Sequence, residues 1–138
     1  KYPAAVVEFQ LAYQAHPEAP NVRQWLARSL VAAGRVDEAM PHLEALSTAL
    51  PDQAIVWVDL ADGLAGQGKL DGDDGALARI DKALTLDAKL AAAHLRKIAI
   101  LADAKRCKPA RKALKDFKSI EPPAAAIELA QGSLAACK

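Results

Sequence analysis

Two cysteines (Cys107 and Cys137), three histidines (His16, His42 and His94) and one acidic run, Asp71-Gly72-Asp73-Asp74-Gly75, are where the sequence could do chemistry. A thiolate acts as nucleophile or metal ligand beside a base, a cation or further ligands. Neither cysteine has a histidine or another cysteine at ligand spacing. The histidines are isolated: His16 precedes Pro17, His42 falls on an outward part of its helix, and His94 begins one, so each is read as structural or solvated. Alternate carboxylates can converge on a hard cation, as at the start of a calcium loop. Here the fifth position is Gly75, the sharp-turn glycine is displaced, and Lys82 stands where a bidentate glutamate closes the shell. The run is therefore read as an acidic, flexible loop. With no glycine-rich phosphate loop and no Gly-x-Ser-x-Gly elbow, the chain is expected to be no enzyme and to need no cofactor or metal.

The elements that carry these residues are helical. Of the 138 residues 52% are apolar, mostly Ala and Leu, and 4% are aromatic, which favours helices in close small-residue contact over a sheet. Charge interrupts every apolar stretch well short of the roughly 18–20 residues needed to cross a bilayer, so no membrane span is expected. Lys1-Tyr2-Pro3 has no signal-peptide pattern and runs straight into helix-like sequence without a start Met, as an excerpt of a longer protein would. Helices are predicted near 3–15, 21–33, 37–49, 54–67, 74–86, 90–103, 107–119 and 123–136. Pro3, Pro41 and Pro109 are each expected in the first turn of a helix, where a missing N–H breaks no intrahelical bond.

An internal repeat organises these helices. Leu26-Ala27, Leu30, Gly34, Ala39, Leu43, Leu46 and Pro51 match a helix-hairpin unit of about 34 residues. Ala5, Phe9, Ala12 and Pro17 reproduce the second half of that unit. Trp57, Leu60, Ala61 and Leu64, closed by Ala76, Ile80, Ala83 and Ala88, form another, with three extra residues in the loop Gly68–Gly75. Ala110, Leu114, Phe117 and Pro122 end a further unit whose first helix is degenerate, with Lys97 and Ile98 at the Leu and small-residue positions and Lys105 in place of a glycine, consistent with a shift of one position. Small residues such as Ala27 and Ala39 let two helices approach while Leu30, Leu43 and Phe9 fill the gap. Trp57 stands at a packing position of the core. Trp25 falls one or two places off it and is expected against the preceding half-repeat.

This spacing resembles the tetratricopeptide repeat. The resemblance implies an all-α, right-handed superhelical array of antiparallel helix hairpins in a single domain. It comprises a half repeat at 1–19, a repeat at 20–53, one with a lengthened loop at 54–88, a degenerate one at 89–121 and a capping helix at 122–138. In such arrays the first helix of each repeat lines the concave face. Carried over, the peptide-binding positions are Asn21, Gln24, Arg28 and Val31, then Ile55, Val58, Asp62 and Ala65, then Leu95, with Ala99 and Ala102 beside it. Such a lining suits an extended or helical peptide with apolar anchors and a carboxylate paired by Arg28. It lacks the Lys and Asn set with which chaperone-binding relatives clamp a C-terminal carboxylate. The segment from Leu64-Ala65-Gly66-Gln67-Gly68 through Lys69-Leu70-Asp71-Gly72 to Ala83-Leu84-Thr85-Leu86-Asp87, with the Pro122-Pro123-led last helix, is similar to the periplasmic tetratricopeptide domain of bacterial cytochrome c maturation proteins. That likeness implies a chaperone-like hold on an apocytochrome c segment and contact with the haem-ligation machinery. The alternative is an architectural segment of a larger envelope or cytosolic assembly with an empty groove.

From the helix assignment, Cys107 opens one helix and Cys137 closes the next, with arms of about equal length between them, so a disulfide is predicted. A bridge implies a periplasmic or other extracytoplasmic compartment. Two unrelated thiols in a cytoplasmic protein are the alternative. The net charge of +1 selects no partner, but Lys108, Arg111, Lys112, Lys115 and Lys118 recur on one helical face. That face is read as solvated, with an acidic protein partner or anionic lipid as the alternatives; without interleaved aromatics no nucleic-acid partner is expected.

Overall fold

A computed structural model describes the backbone of residues 2–137 and the side chains of residues 4–137. Among the described residues every regular element is helical: α1 (Tyr2–Ala15), α2 (Pro20–Ala32), α3 (Val36–Ala49), α4 (Ala54–Gly66), α5 (Ala76–Leu86), α6 (Ala91–Asp103), α7 (Cys107–Ser119), α8 (Ala124–Ser133) and a closing 3₁₀ turn (Leu134–Ala136). None of helices α2–α8 has a side-chain N-cap, so their starts are fixed by packing rather than by capping hydrogen bonds. Their ends are sharper. At Gly34, Gly68 and Lys105 the backbone turns left-handed, with φ of 79°, 76° and 60°. The next residue's N–H then reaches back to Leu30, Leu64 and Leu101 in turn, each time closing the same αL cap. Lys105 adopts a conformation that glycine takes at less cost.

The separation of these caps sets the period: 34 residues from Gly34 to Gly68, then 37 to Lys105. The three extra residues lie in the loop after Gly68. This loop is tied down: Ala76 N–H bonds the Lys69 carbonyl, Leu77 N–H bonds that of Leu70, and Arg106 grips both Asp71 oxygens at 2.6 Å. Arg106 also holds the Asp71 carboxyl below its ordinary range. Gly75 is buried, and a Cβ there would collide with the carbonyl oxygens of Leu70 and Asp71.

Pro109 lies in the first turn of α7, as its sequence position predicts. Pro41 does not lie in the first turn of its helix. α3 starts at Val36, which places Pro41 in the second turn, where it removes the bond to the Asp37 carbonyl. Both residues lie at the surface, so water can satisfy that carbonyl.

Successive helices pack as antiparallel neighbours, and α4 also touches α2 and α6. The backbones of the second helices α3, α5 and α7 do not approach one another closely among the described residues. An array that closes up on one row of helices and spreads on the other curves toward the first, which puts α2, α4 and α6 on the concave side. Two cores fill it. The larger gathers Leu26, Ala27, Leu30, Ala39, Leu43, Leu60, Ala61 and Ile80, all at most 4% exposed. The smaller gathers Ile98, Leu101, Ala102, Ala110, Ala113, Phe117, Ala130 and Cys137 under α8, and Leu77 packs against both. Ile98 is fully buried at the position that Ala27 and Ala61 fill in the earlier repeats.

Two aromatic expectations divide here. Trp25 stacks on Phe9 of α1 with ring centroids 6.2 Å apart, against the half-repeat as predicted, while remaining half exposed. Trp57 is not in the core but at its rim, partly buried, with its indole N–H donating to the Pro51 carbonyl and Arg79 over its ring.

Candidate functional site: a concave groove

One face of α2, α4 and α6 buries Leu and Ala, such as Leu26, Ala27, Leu60, Ala61 and Leu101, while part of the opposite face remains open. Between the three open faces lies a groove of about 760 Å³, a volume typical of ligand sites. Arg28, Val31 and Ala32 come from α2. Ile55, Val58, Asp59, Asp62, Ala65 and Gly66 come from α4. Ala92, Arg96, Ala99, Ile100 and Asp103 come from α6, and Leu43 of α3 reaches it from behind.

Of the residues predicted to line it, Arg28, Val31, Ile55, Val58, Asp62, Ala65 and Ala99 do so. Asn21 is exposed outside it. Gln24 also lies outside, donating to Asp59 Oδ2 at 3.0 Å. On α6 the inward positions are those of Arg96 and Asp103 rather than Leu95 and Ala102. Leu95 packs against the smaller core, Ala102 is buried within it, and each gives up its groove place to the next residue. The physical reason is the bulk of Ile98 where the other first helices carry Ala, together with the pull of a second core on Leu95. The αL caps show no slip of the α6 sequence register, so the shift is a turn of its inward face.

The charges of the groove form two pairs. Asp59, its side chain 8% exposed, accepts from Arg28 Nε at 3.0 and 3.1 Å and from Gln24. Asp62 forms an ion pair with Arg96, with Oδ1 2.7 Å from Nε. Burial pushes the Asp62 carboxyl up to about 6; Asp59 adds to the rise, and Arg96 and Arg28 oppose it. Arg28 is thus engaged by the protein itself, and the expected pairing of Arg28 with a ligand carboxylate gives way to an internal ion pair. Asp59 was missed because an Asp one helical turn from Asp62 reads as a solvated acidic stretch; only the cross-helix Arg28 and Gln24 reveal its burial.

The remaining candidates lie apart from the groove. His42 is half buried, not outward: it accepts from Arg23 Nε at 3.1 Å and meets the edge of Tyr13, and burial, then Arg23, lowers its pKa. His94 is buried, stacked on Phe117 and hydrogen-bonded through Nε2 to the Ala88 carbonyl at 2.8 Å. His16 is exposed beside Glu18. In the acidic loop Asp71 faces Arg106 and Asp74 faces Arg79, so these two carboxylates are each matched by a protein cation. Cys107 and Cys137 are joined, with their Cα atoms 5.3 Å apart, and Arg111 Nη2 donates to the Cys137 carbonyl at 2.9 Å.

Comparison with known proteins agrees with this architecture. Residues 1–61 match the family model described as tetratricopeptide repeat. Over 98% of its length the chain superposes on 75% of a thermophilic tetratricopeptide-repeat protein of Thermus thermophilus, with a TM-score of 0.76 and 22% identity. No curated protein shows significant similarity to the chain. The fold is thus that of a tetratricopeptide-repeat protein: an all-α superhelical array of helix hairpins.

Proposed function

We propose that this chain is a protein–protein interaction module that holds a peptide segment of a partner in the α2–α4–α6 groove. The observation that carries this reading is the groove itself, where three helices from successive repeats turn Val31, Ile55, Val58, Ala65, Ala99 and Ile100 toward one concave space. Apolar anchors seated in such a space supply affinity, and the few polar groups set orientation. Asp59, Asp62 and Asp103 stand against Arg28 and Arg96, both already paired, which favours a ligand bearing a basic side chain over one bearing a carboxylate.

The most specific partner in this reading is an apocytochrome c segment in an oxidising compartment such as the periplasm. The lengthened loop after Gly68, the Ala83–Asp87 helix end and the Pro122-Pro123-led last helix support it, as does the Cys107–Cys137 pair. The test is titration of the chain with fluorescent peptides that alternate leucine with either lysine or glutamate. The lysine peptide is expected to bind, the glutamate peptide to bind at least about tenfold more weakly, and Ala65→Tyr, which plugs the groove, to lose a similar factor. Binding of neither peptide, or an unaffected Ala65→Tyr variant, overturns the reading and leaves an architectural segment, whereas equal binding of both removes only the preference for a basic side chain. An apocytochrome c peptide no better than a scrambled one removes the specific partner alone.

A further inference from the structure

We infer that the outer face of α7 docks on an anionic lipid surface. Lys108, Arg111, Lys112, Lys115 and Lys118 lie on the outer side of α7 and, at about 100° per residue, fall within an arc of about 120° along a helix roughly 20 Å long. Asp116 is the single carboxylate on α7, which therefore carries +4 in a chain of net +1, leaving −3 on all the rest. The fold does not require this. The structurally equivalent second helices carry one carboxylate on α1, three carboxylates and no Lys or Arg on α3, and two cations with one carboxylate on α5.

Elsewhere cations pair with carboxylates of other elements, Arg28 with Asp59, Arg79 with Asp74, Arg96 with Asp62, Lys97 with Asp81 and Arg106 with Asp71, and the lysines without an ion pair, such as Lys69, Lys82 and Lys89, are scattered rather than gathered on one face. On α7 only Lys112 is paired, with Asp116; Lys108, Lys115 and Lys118 have no carboxylate within ion-pair distance among the described residues. The charge separation gives the molecule a positive end and a negative remainder, so a negatively charged plane orients it with α7 inward.

The chemistry of the face selects the partner. Lysine is depleted from the cores of protein interfaces, which need apolar contact that this face does not offer. Phosphate recognition in nucleic acids draws on bidentate arginine and stacked aromatics. No aromatic stands on this face, and its one arginine, Arg111, spends Nη2 on the Cys137 carbonyl. Lysines on flexible stems, spread along a straight helix without a pocket, match the diffuse field of anionic headgroups.

The test is co-sedimentation of the unreduced chain at low salt with vesicles of phosphatidylcholine alone or with about a third phosphatidylglycerol. Binding is expected only to the anionic vesicles and is expected to vanish by about 0.5 M salt. Lys108→Glu with Lys115→Glu and Lys118→Glu should weaken it at least about a hundredfold. The exposed control set Lys69→Glu, Lys82→Glu and Lys89→Glu, with the same change in net charge, should weaken it less than about threefold if the face rather than total charge is responsible. The inference is overturned if anionic vesicles do not bind the chain or the control set loses as much. It is also overturned if the chain binds polyglutamate or a single-stranded oligonucleotide of matched charge more tightly than it binds the anionic vesicles.

Discussion

The larger core and the smaller one bury comparable side chains under different constraints. The α2–α3 and α4–α5 hairpins are each flanked on both sides, and Leu26, Leu30, Leu43, Leu60 and Ile80 interlock across successive repeats. In α6–α8 the α6–α7 hairpin meets α4 and α5 on one side and the short α8 on the other. Its core rests on one large ring, Phe117, with Ile98, Leu101 and a set of alanines, and its open side is covered by α8 and fastened through Cys107–Cys137. Repeat arrays draw stability from nearest-neighbour interfaces, so what covers each face of a hairpin matters to its stability. Here a short helix, α8, and a cross-link cover the face of the α6–α7 hairpin that points away from α4 and α5.

The largest expected effect follows from the concentration of the smaller core in one ring. Phe117 is fully buried and stacked on His94, and Phe117→Ala should cost about 3–5 kcal/mol. If the two cores are separate cooperative units, hydrogen exchange will show α6–α8 losing protection while α2–α4 retain theirs. Uniform loss along the chain would show one cooperative unit, joined through Leu77 and the α4–α6 contact.

Removing the cross-link acts on the same end with less force. Closing a loop of 30 residues contributes about 3.6 kcal/mol by restricting the unfolded chain, so Cys107→Ser with Cys137→Ser, or reduction, should lower stability by that order. Urea unfolding with and without reductant measures it. A change well under about 1 kcal/mol would mean that α8 is held by packing and by Arg111 alone.

The same division governs what the sequence discloses. Where the period is uniform, small and large residues recur at fixed offsets, and Ala27, Ala39, Ala61, Leu30 and Leu43 are found buried where spacing puts them. The groove positions on α2 and α4 follow from that periodicity because both helices share one orientation. On α6 periodicity fails for a tertiary reason: Ile98 and the second core rotate its inward face, so Arg96 and Asp103 line the groove and Leu95 does not. Pairings across helices lie beyond local pattern altogether. Arg28 with Asp59 is 31 residues apart and Arg106 with Asp71 is 35 residues apart, and neither spacing marks them as partners. Trp57 reads as core from its repeat position, yet its polar N–H keeps it at the rim, where the Pro51 carbonyl is available.

The smallest effect lies at the seam between the two units, where Asp62 of α4 meets Arg96 of α6. The Asp62 carboxyl has a folded pKa of about 6 against 3.8 in the open chain, so between those values the folded protein binds the proton and the unfolded chain does not. Stability therefore falls as pH rises through that window, and above it the ionised Asp62 is a net cost despite Arg96. With Asp62 still partly in contact with solvent, the cost is about 1–2 kcal/mol rather than the full shift. Asp62→Asn should recover about that amount at neutral pH and flatten the pH dependence, as read from urea midpoints across the window. Arg96 is half exposed, so leaving it unpaired costs little. A variant destabilised at neutral pH would mean that the ion pair fastens α4 to α6, and that charge as well as packing joins the two cores.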